Sequence, residues 1–204
     1  MKNRLILILV FCALFSLSSC IFVKTPKTAP LSVNLSPRPS VKMSDEFLRS
    51  QEGDLAAFIP RDWLFVDVEE EISADVLGAA VNAEYNLCAV FSKIKKNDKT
   101  EDALAKEGII GLANVALAKH AQKTANGVKQ IGAPSIIEIG QNKFAYFELS
   151  SNSGATKTMA VSFISTLNNY YEFTLSPLDV SGKPLFDDKE MKNIFNSILC
   201  SLQF

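Results

Sequence analysis

The sequence predicts an α+β domain in which helices pack on an antiparallel sheet. Three observations predict it. Four extended segments follow one another between residues 135 and 175, joined by short, turn-rich connections. A long, mostly apolar helical segment precedes them at 100–124. A helix with a single apolar stripe closes the chain at 187–199. Strands joined by such short connections are antiparallel neighbours, and helices grouped before and after them must cover the sheet.

The chain opens with Lys2 and Arg4, then an apolar run from Leu5 to Phe15. A positive start and an apolar core of this length make a secretion signal, expected over residues 1–19. The run is short of the roughly 20 apolar residues a membrane span needs. It ends in Leu17-Ser18-Ser19-Cys20, which resembles the lipobox of bacterial lipoproteins. That resemblance implies a diacylglyceryl thioether on Cys20 and cleavage before it, leaving the protein held on a membrane through lipid. Each buried CH₂ of an acyl chain contributes about 0.8 kcal/mol, so one chain holds weakly and two or three hold firmly. Ile21 follows where an inner-membrane retention signal has Asp, so the resemblance favours the outer membrane in an organism that has one.

Residues 20–45 hold four of the eight prolines, Pro26, Pro30, Pro37 and Pro39, with Ser and Thr between them. No helical or strand period persists there, and the composition predicts an extended tether. Residues 46–204 form the expected globular domain, long enough to sustain one core. Of fourteen Phe, only Phe11 and Phe15 leave with the signal.

Within the domain, 54–60 reads as a strand stopped by Pro60, 61–63 as a turn, and 64–68 as a second extended piece. Residues 69–83 read as a short helix with loops. Tyr85, Leu87, Ala89 and Phe91 alternate with polar or small residues and predict a strand over 84–93. The helix at 100–124 takes Thr100 as its N-cap, with Glu101 and Asp102 at its positive end. Gly108 and Gly111 are expected to let it approach the sheet closely. Strands follow at 135–139, 143–150, 158–166 and 170–175. In the last helix, Met191, Ile194, Phe195, Ile198 and Leu202 share one stripe.

The formal net charge is −1, and without Lys2 and Arg4 the balance is 19 basic against 22 acidic residues. This evenly mixed, slightly acidic surface excludes a general nucleic-acid binder, which needs a basic face.

Chemistry-bearing motifs are few. His120 is the one histidine, which rules out multi-histidine metal sites. It reads as a surface residue favoured by the negative end of its helix. No Gly-x-Ser-x-Gly elbow supplies a serine nucleophile. Gly154-Ala155-Thr156-Lys157-Thr158 lacks the Gly-Lys adjacency of a phosphate loop and reads as a turn. Asp67, Glu69, Glu70, Glu71 and Asp75 form an acidic segment without calcium-loop spacing. Cys88 and Cys200 remain in the domain, and in an oxidising envelope they are either a disulfide pair or two separately buried thiols. Adjacent Tyr170 and Tyr171 must point to opposite faces of a strand, so at least one is expected on an interaction surface. No cofactor is expected.

Phe58-Ile59-Pro60-Arg61-Asp62-Trp63, the long helix, the meander with Tyr171 and Phe173, and the ending Ile194-Phe195-Asn196-Ser197-Ile198-Leu199 together resemble the PsbP-like superfamily. Its bacterial members include small envelope lipoproteins of the DcrB kind. Arg61-Asp62 stands where the resemblance calls for a Pro-x-Gly-Trp turn. The resemblance covers most of residues 50–204 and implies an α/β/α sandwich without catalysis whose members bind partner proteins. The expectation is therefore a non-enzymatic envelope lipoprotein that docks on another envelope protein. A small-ligand binder with an apolar pocket between sheet and helix is the alternative, and an enzyme using carboxylates such as Asp62 or Glu172 is a third reading.

Overall fold

The computed structural model describes residues 32–35, 38–66, 75–123, 128–151, 156–178, 180 and 186–204. The signal, Cys20, most of the tether, the acidic residues 67–71 and the 152–155 turn lie outside them. The order is β1 (Ser32–Leu35), β2 (Met43–Arg49), β3 (Ala56–Pro60), β4 (Leu64–Val66), β5 (Val76–Val81), β6 (Leu87–Ile94), α1 (Asp98–Glu107) and α2 (Ile109–Lys123). Then come β7 (Val128–Ile139), β8 (Asn142–Ser151), β9 (Lys157–Ile164), β10 (Tyr170–Pro177) and α3 (Asp188–Ser201).

Eight strands form one sheet in the order β1-β7-β8-β9-β10-β6-β5-β4. Every pairing is antiparallel except that of β1 with β7. The α+β class and the meander from β7 to β10 are as the sequence predicts. On one face, α2 lies against β7, β8 and β9. On the other lie α3 and the two-stranded hairpin β2–β3, with α3 against β3. Layers on both sides of a sheet give it two cores. Phe91, Phe144, Phe163 and Phe173 meet the α3 stripe. Ala145, Phe147 and Ala160 meet Leu112, Ala113 and Ala116 of α2. The rings of Phe173 and Phe195 stack at 5.2 Å between centroids.

The folded part reaches further towards the N-terminus than the expected boundary at 46. Ser32–Leu35, inside the expected tether, pairs with Ile136–Ile139 of β7. Ser197, buried in α3, accepts hydrogen bonds from the backbone N–H groups of Ser40 (2.9 Å) and Val41 (3.3 Å). In the sequence Pro30 and Pro37 stand on either side of Ser32–Leu35, and an edge strand tolerates such neighbours. Its partner lies about a hundred residues away, so local composition does not reveal the pairing.

The expected helix over 100–124 is two helices. Asn97, not Thr100, caps α1: its side chain accepts the Thr100 N–H at 3.0 Å. Gly108, at φ 63°, ends α1, and its N–H donates to the Leu104 carbonyl. Gly111 provides the expected close approach, but to α1 rather than to the sheet. A Cβ built there would lie 2.2 Å from the Ala103 carbonyl oxygen. Gly111→Ala is therefore expected to cost about 1–3 kcal/mol by overpacking, read as a lower Tm by circular dichroism.

The region 69–83, expected as a short helix with loops, contains β5 instead. Val76-Leu77-Gly78-Ala79-Ala80-Val81 is small and apolar without alternation, because both of its faces are at least half covered. Residue 85 falls outside the strand predicted over 84–93: Tyr85 sits in the β5–β6 turn at φ 56°. Leu87, Ala89 and Phe91 are buried as predicted. The turn at Arg61-Asp62 is closed by Trp63 N–H to the Pro60 carbonyl at 3.3 Å, with Asp62 at φ 69°. Aspartate thus adopts the left-handed conformation for which the resemblance calls for glycine. Asp62→Gly is expected to raise stability by about 1 kcal/mol by relieving that strain, measured as a rise in Tm.

Candidate functional site

Pairing registers place side chains in rows across the sheet. On the α2 side, Thr174, Val90, Ala79 and Val66 form one row across β10, β6, β5 and β4. Ser176, Cys88, Val81 and Leu64 form the next. No charged residue stands in either row. Under α2, Ala145 and Ala160 are completely buried. Beyond it, Thr174, Val90 and Ala79 are half-buried, and Leu64 and Val66 are 49% and 43% exposed. The α2 side of the sheet is thus closed by α2 over β7–β9 and most exposed at β4, with Val81 of β5, at 8% exposed, buried between them.

The next row forms the polar boundary of this open half. Glu172, only 3% exposed, lies between Ser162 and Ser92 in the pairing register. His120 reaches down from α2 to hydrogen bond Glu172 Oε1 through Nε2. Lys119, one residue earlier, pairs with Asp75 at 2.9 Å. Ser162 Oγ, beside Glu172, makes no hydrogen bond among the described residues. His120 is therefore more than a surface residue at a helix end: it is the polar link between α2 and the sheet.

At the open edge, β4 exposes Leu64, Phe65 and Val66 together. Phe65 points to the opposite face from its two neighbours, in register with Ala80. The adjoining β5–β6 turn is held by Asn82. Its Oδ1 accepts the N–H groups of Asn86 (2.9 Å) and Leu87 (2.8 Å). This presents Tyr85 to solvent, 53% exposed and in a backbone conformation costly for a bulky residue. A cleft of about 240 Å³ between this turn and the Arg61-Asp62 turn is lined by Trp63, Asn82, Glu84 and Glu190. A second, of about 390 Å³, continues past Arg61 to Lys42 and Asn193. Both are polar-rimmed and lie between these turns and α3, whose Glu190 and Ile194 line each of them.

Tyr170 and Tyr171 do point to opposite faces, but neither is an exposed interaction surface: they are 1% and 0% exposed. Each face is covered there, by α1–α2 on one side and by the β2–β3 layer on the other. Tyr170 Oη donates to Glu101 Oε1 at 2.7 Å beneath Lys96. Burial, with the hydrogen bond to the Glu101 carboxylate, pushes its phenol up to about 12.

Tyr171 Oη donates to Asp54 Oδ1 at 2.7 Å. Asp54, 6% exposed, also accepts from Ser50 Oγ at 2.8 Å, Asn169 Nδ2 at 2.9 Å and Ser165 Oγ. Burial by itself raises the Asp54 pKa, but the hydrogen bonds from Ser165, Tyr171, Asn169 and Ser50 outweigh it. They hold the carboxyl well below the usual carboxylate range. With its acceptor capacity filled by protein donors, Asp54 is a structural anchor rather than a reactive acid.

Cys88 and Cys200 are half-buried thiols, not a disulfide. Cys88 stands in the open rows on the α2 side, whereas Cys200 of α3 packs in the core on the other side of the sheet. A sheet between two cysteines keeps their sulfurs far beyond bonding distance. Burial raises both thiol pKa values. Cys20 lies outside the described residues. Among the described residues, no group of three or more His, Cys, Asp or Glu side chains is placed to hold a metal ion.

In fold, the chain is similar to the solution structure of cyanobacterial PsbP (CyanoP) from Synechocystis sp. PCC 6803. The TM-score is 0.53 at 16% identity, over 78% of this chain and 91% of that one. At that identity the likeness shows the PsbP-like fold alone. A weaker likeness, at TM-score 0.40 and 15% identity, links 79% of this chain to 90% of LpqN, involved in cell envelope biogenesis of Mycobacterium tuberculosis. No family profile matches the chain, and no curated protein matches it.

Proposed function

We propose that this protein is a lipid-anchored accessory module of the bacterial cell envelope, held through Cys20, that acts by docking on another envelope protein rather than by catalysis. The observation that carries this reading is the half of the α2-side face that α2 does not cover: two uncharged rows, half-buried over β10 and β6, buried at Val81 of β5, and exposed at β4. Apolar surface left at one end of a covered sheet fits a protein interface. The PsbP-like fold is compatible with it but does not choose the partner. The absence of Asp after Cys20 favours the outer membrane in a two-membrane organism.

The test is crosslinking in cells with a photoreactive residue replacing Val90 in the full chain, with and without Cys20→Ala. The anchored protein is expected to fractionate with membranes and to capture one defined envelope protein. Cys20→Ala is expected in the soluble fraction, with that capture lost. A small-molecule adduct, or no protein adduct from a membrane-bound chain, would instead support the ligand-binding reading.

A further inference from the structure

We infer that β1 is a releasable strap: docked on β7 it shortens the tether between Cys20 and the folded body, and released it lets the body out without unfolding it. The inference rests on the Cys20 anchor proposed above.

Two holds stand in series along the chain that leads from the anchor into the domain. The first is the ladder that pairs Ser32–Leu35 with Ile136–Ile139. The second is α3, where the buried Ser197 Oγ accepts the N–H groups of Ser40 and Val41 and lies 3.0 Å from Ser40 Oγ. The first hold is the weaker. β1 is four residues long, stands at the edge of the sheet with β7 as its neighbour, and is the one strand paired in parallel among the described residues. Parallel pairing is slightly less stable per residue than antiparallel. A short terminal element of this kind opens locally, at a fraction of the cost of global unfolding.

Release of β1 leaves the rest of the sheet in place. β7 stays paired with β8 from Val128 to Ile139, apart from one bulge, and Ile137 and Ile139 pack into the core on the α3 side. The second hold then acts as a stop, because Ser197 stands on the helix whose Ile194, Phe195 and Ile198 fill that same core.

With β1 docked, residues 21–31 join the anchor to the sheet and span at most about 40 Å. With β1 released, residues 21–39 join the anchor to the stop and span at most about 70 Å. The strap therefore gives the body two ranges from the bilayer, and a partner seated beyond the shorter one is met by the released form alone.

The test uses the full chain carried on lipid vesicles by its own anchor, with a donor dye at the exposed Gln141 and an acceptor lipid in the bilayer. Hydrogen exchange read by mass spectrometry reports the opening. Amides of Ser32–Leu35 are expected to exchange at least about 100-fold faster than those of β8, yet slower than an unstructured peptide, with Ser40 and Val41 protected. Val33→Gly with Leu35→Gly, which weakens the strand, is expected to shift the dye to longer distances from the bilayer at an unchanged Tm. Asn34→Cys with Glu138→Cys, at paired positions, is expected to remove the longer distances when oxidised and restore them when reduced. β1 amides that exchange as slowly as those of β8, or as fast as an unstructured peptide, overturn the strap, and so do distances that neither pair of substitutions changes. Chain that does not bind vesicles overturns the anchor and the tether role with it, and exchange then shows only whether β1 opens by itself.

Discussion

Asp54→Ala is expected to be among the most damaging single substitutions in the described domain, costing about 3–5 kcal/mol. The carboxylate ties together three parts of the chain. It takes the Ser50 hydroxyl from the end of the β2–β3 hairpin, Ser165 and Asn169 from the β9–β10 turn, and Tyr171 from β10. Alanine removes the acceptor and leaves the buried hydroxyls of Ser50, Ser165 and Tyr171 without it, where each unsatisfied group costs about 1–3 kcal/mol. Tyr171→Phe removes one donor and leaves the rest, so a smaller loss, about 1.5–3 kcal/mol, is expected. Denaturant unfolding of the variants checks both.

The same network predicts a pH dependence. The folded-state pKa of Asp54 is depressed below its unfolded value of about 3.9. Its contribution is therefore fully present above about pH 4 and is lost as pH falls from there towards the folded pKa. Tm is expected to fall steeply between about pH 4 and pH 2 in the wild type and less steeply in Asp54→Asn. Equal slopes in the two proteins would remove Asp54 as the cause.

His120→Ala is expected to cost about 2–4 kcal/mol, because it takes a hydrogen-bonding partner from a carboxylate that is almost completely buried. The partial exposure of His120 places the figure below that of a fully buried pair. The informative comparison is the double variant. Replacing His120 with Leu and Glu172 with Met together removes the buried charge as well as its partner, and is expected to recover most of the loss. A double-mutant cycle then gives the coupling between the two positions. Additive losses would show that the contact contributes nothing of its own.

How much of this was legible depends on the range of each interaction. The α3 stripe was readable because a helix repeats every 3.6 residues, and Met191, Ile194, Phe195 and Ile198 are all buried. The meander was readable from its turns. The split between α1 and α2 was partly readable: Gly108 and Gly111 stood out, but glycine alone does not say whether a helix ends or merely packs closely. Asp62 is legible in the sequence as a departure, and the backbone shows why it is tolerated. Aspartate is among the few residues that adopt φ > 0 at modest cost.

The candidate site was not readable in the same way. Ser165 reaches Asp54 across 111 positions, and His120 reaches Glu172 across 52. No periodicity or motif spans such distances. The tyrosine pair shows the limit most directly: strand geometry dictated opposite faces for Tyr170 and Tyr171, but which faces are covered depends on helices placed by the whole chain. The edge status of β4, and with it the open face, likewise follows from strand order, which consecutive segments do not reveal.

The sequence by itself determined the α+β class, the order of most elements, the residues of the terminal helix stripe and the expectation of a lipid anchor, because each rests on local periodicity or a short contiguous motif. The tertiary structure decided that β1 joins the sheet, that Cys88 and Cys200 are kept apart, that Tyr170 and Tyr171 are buried, and that the exposed apolar residues of β4 stand at the end of the sheet. Those outcomes come from packing layers on both faces of one sheet, which brings together residues that the linear chain holds far apart.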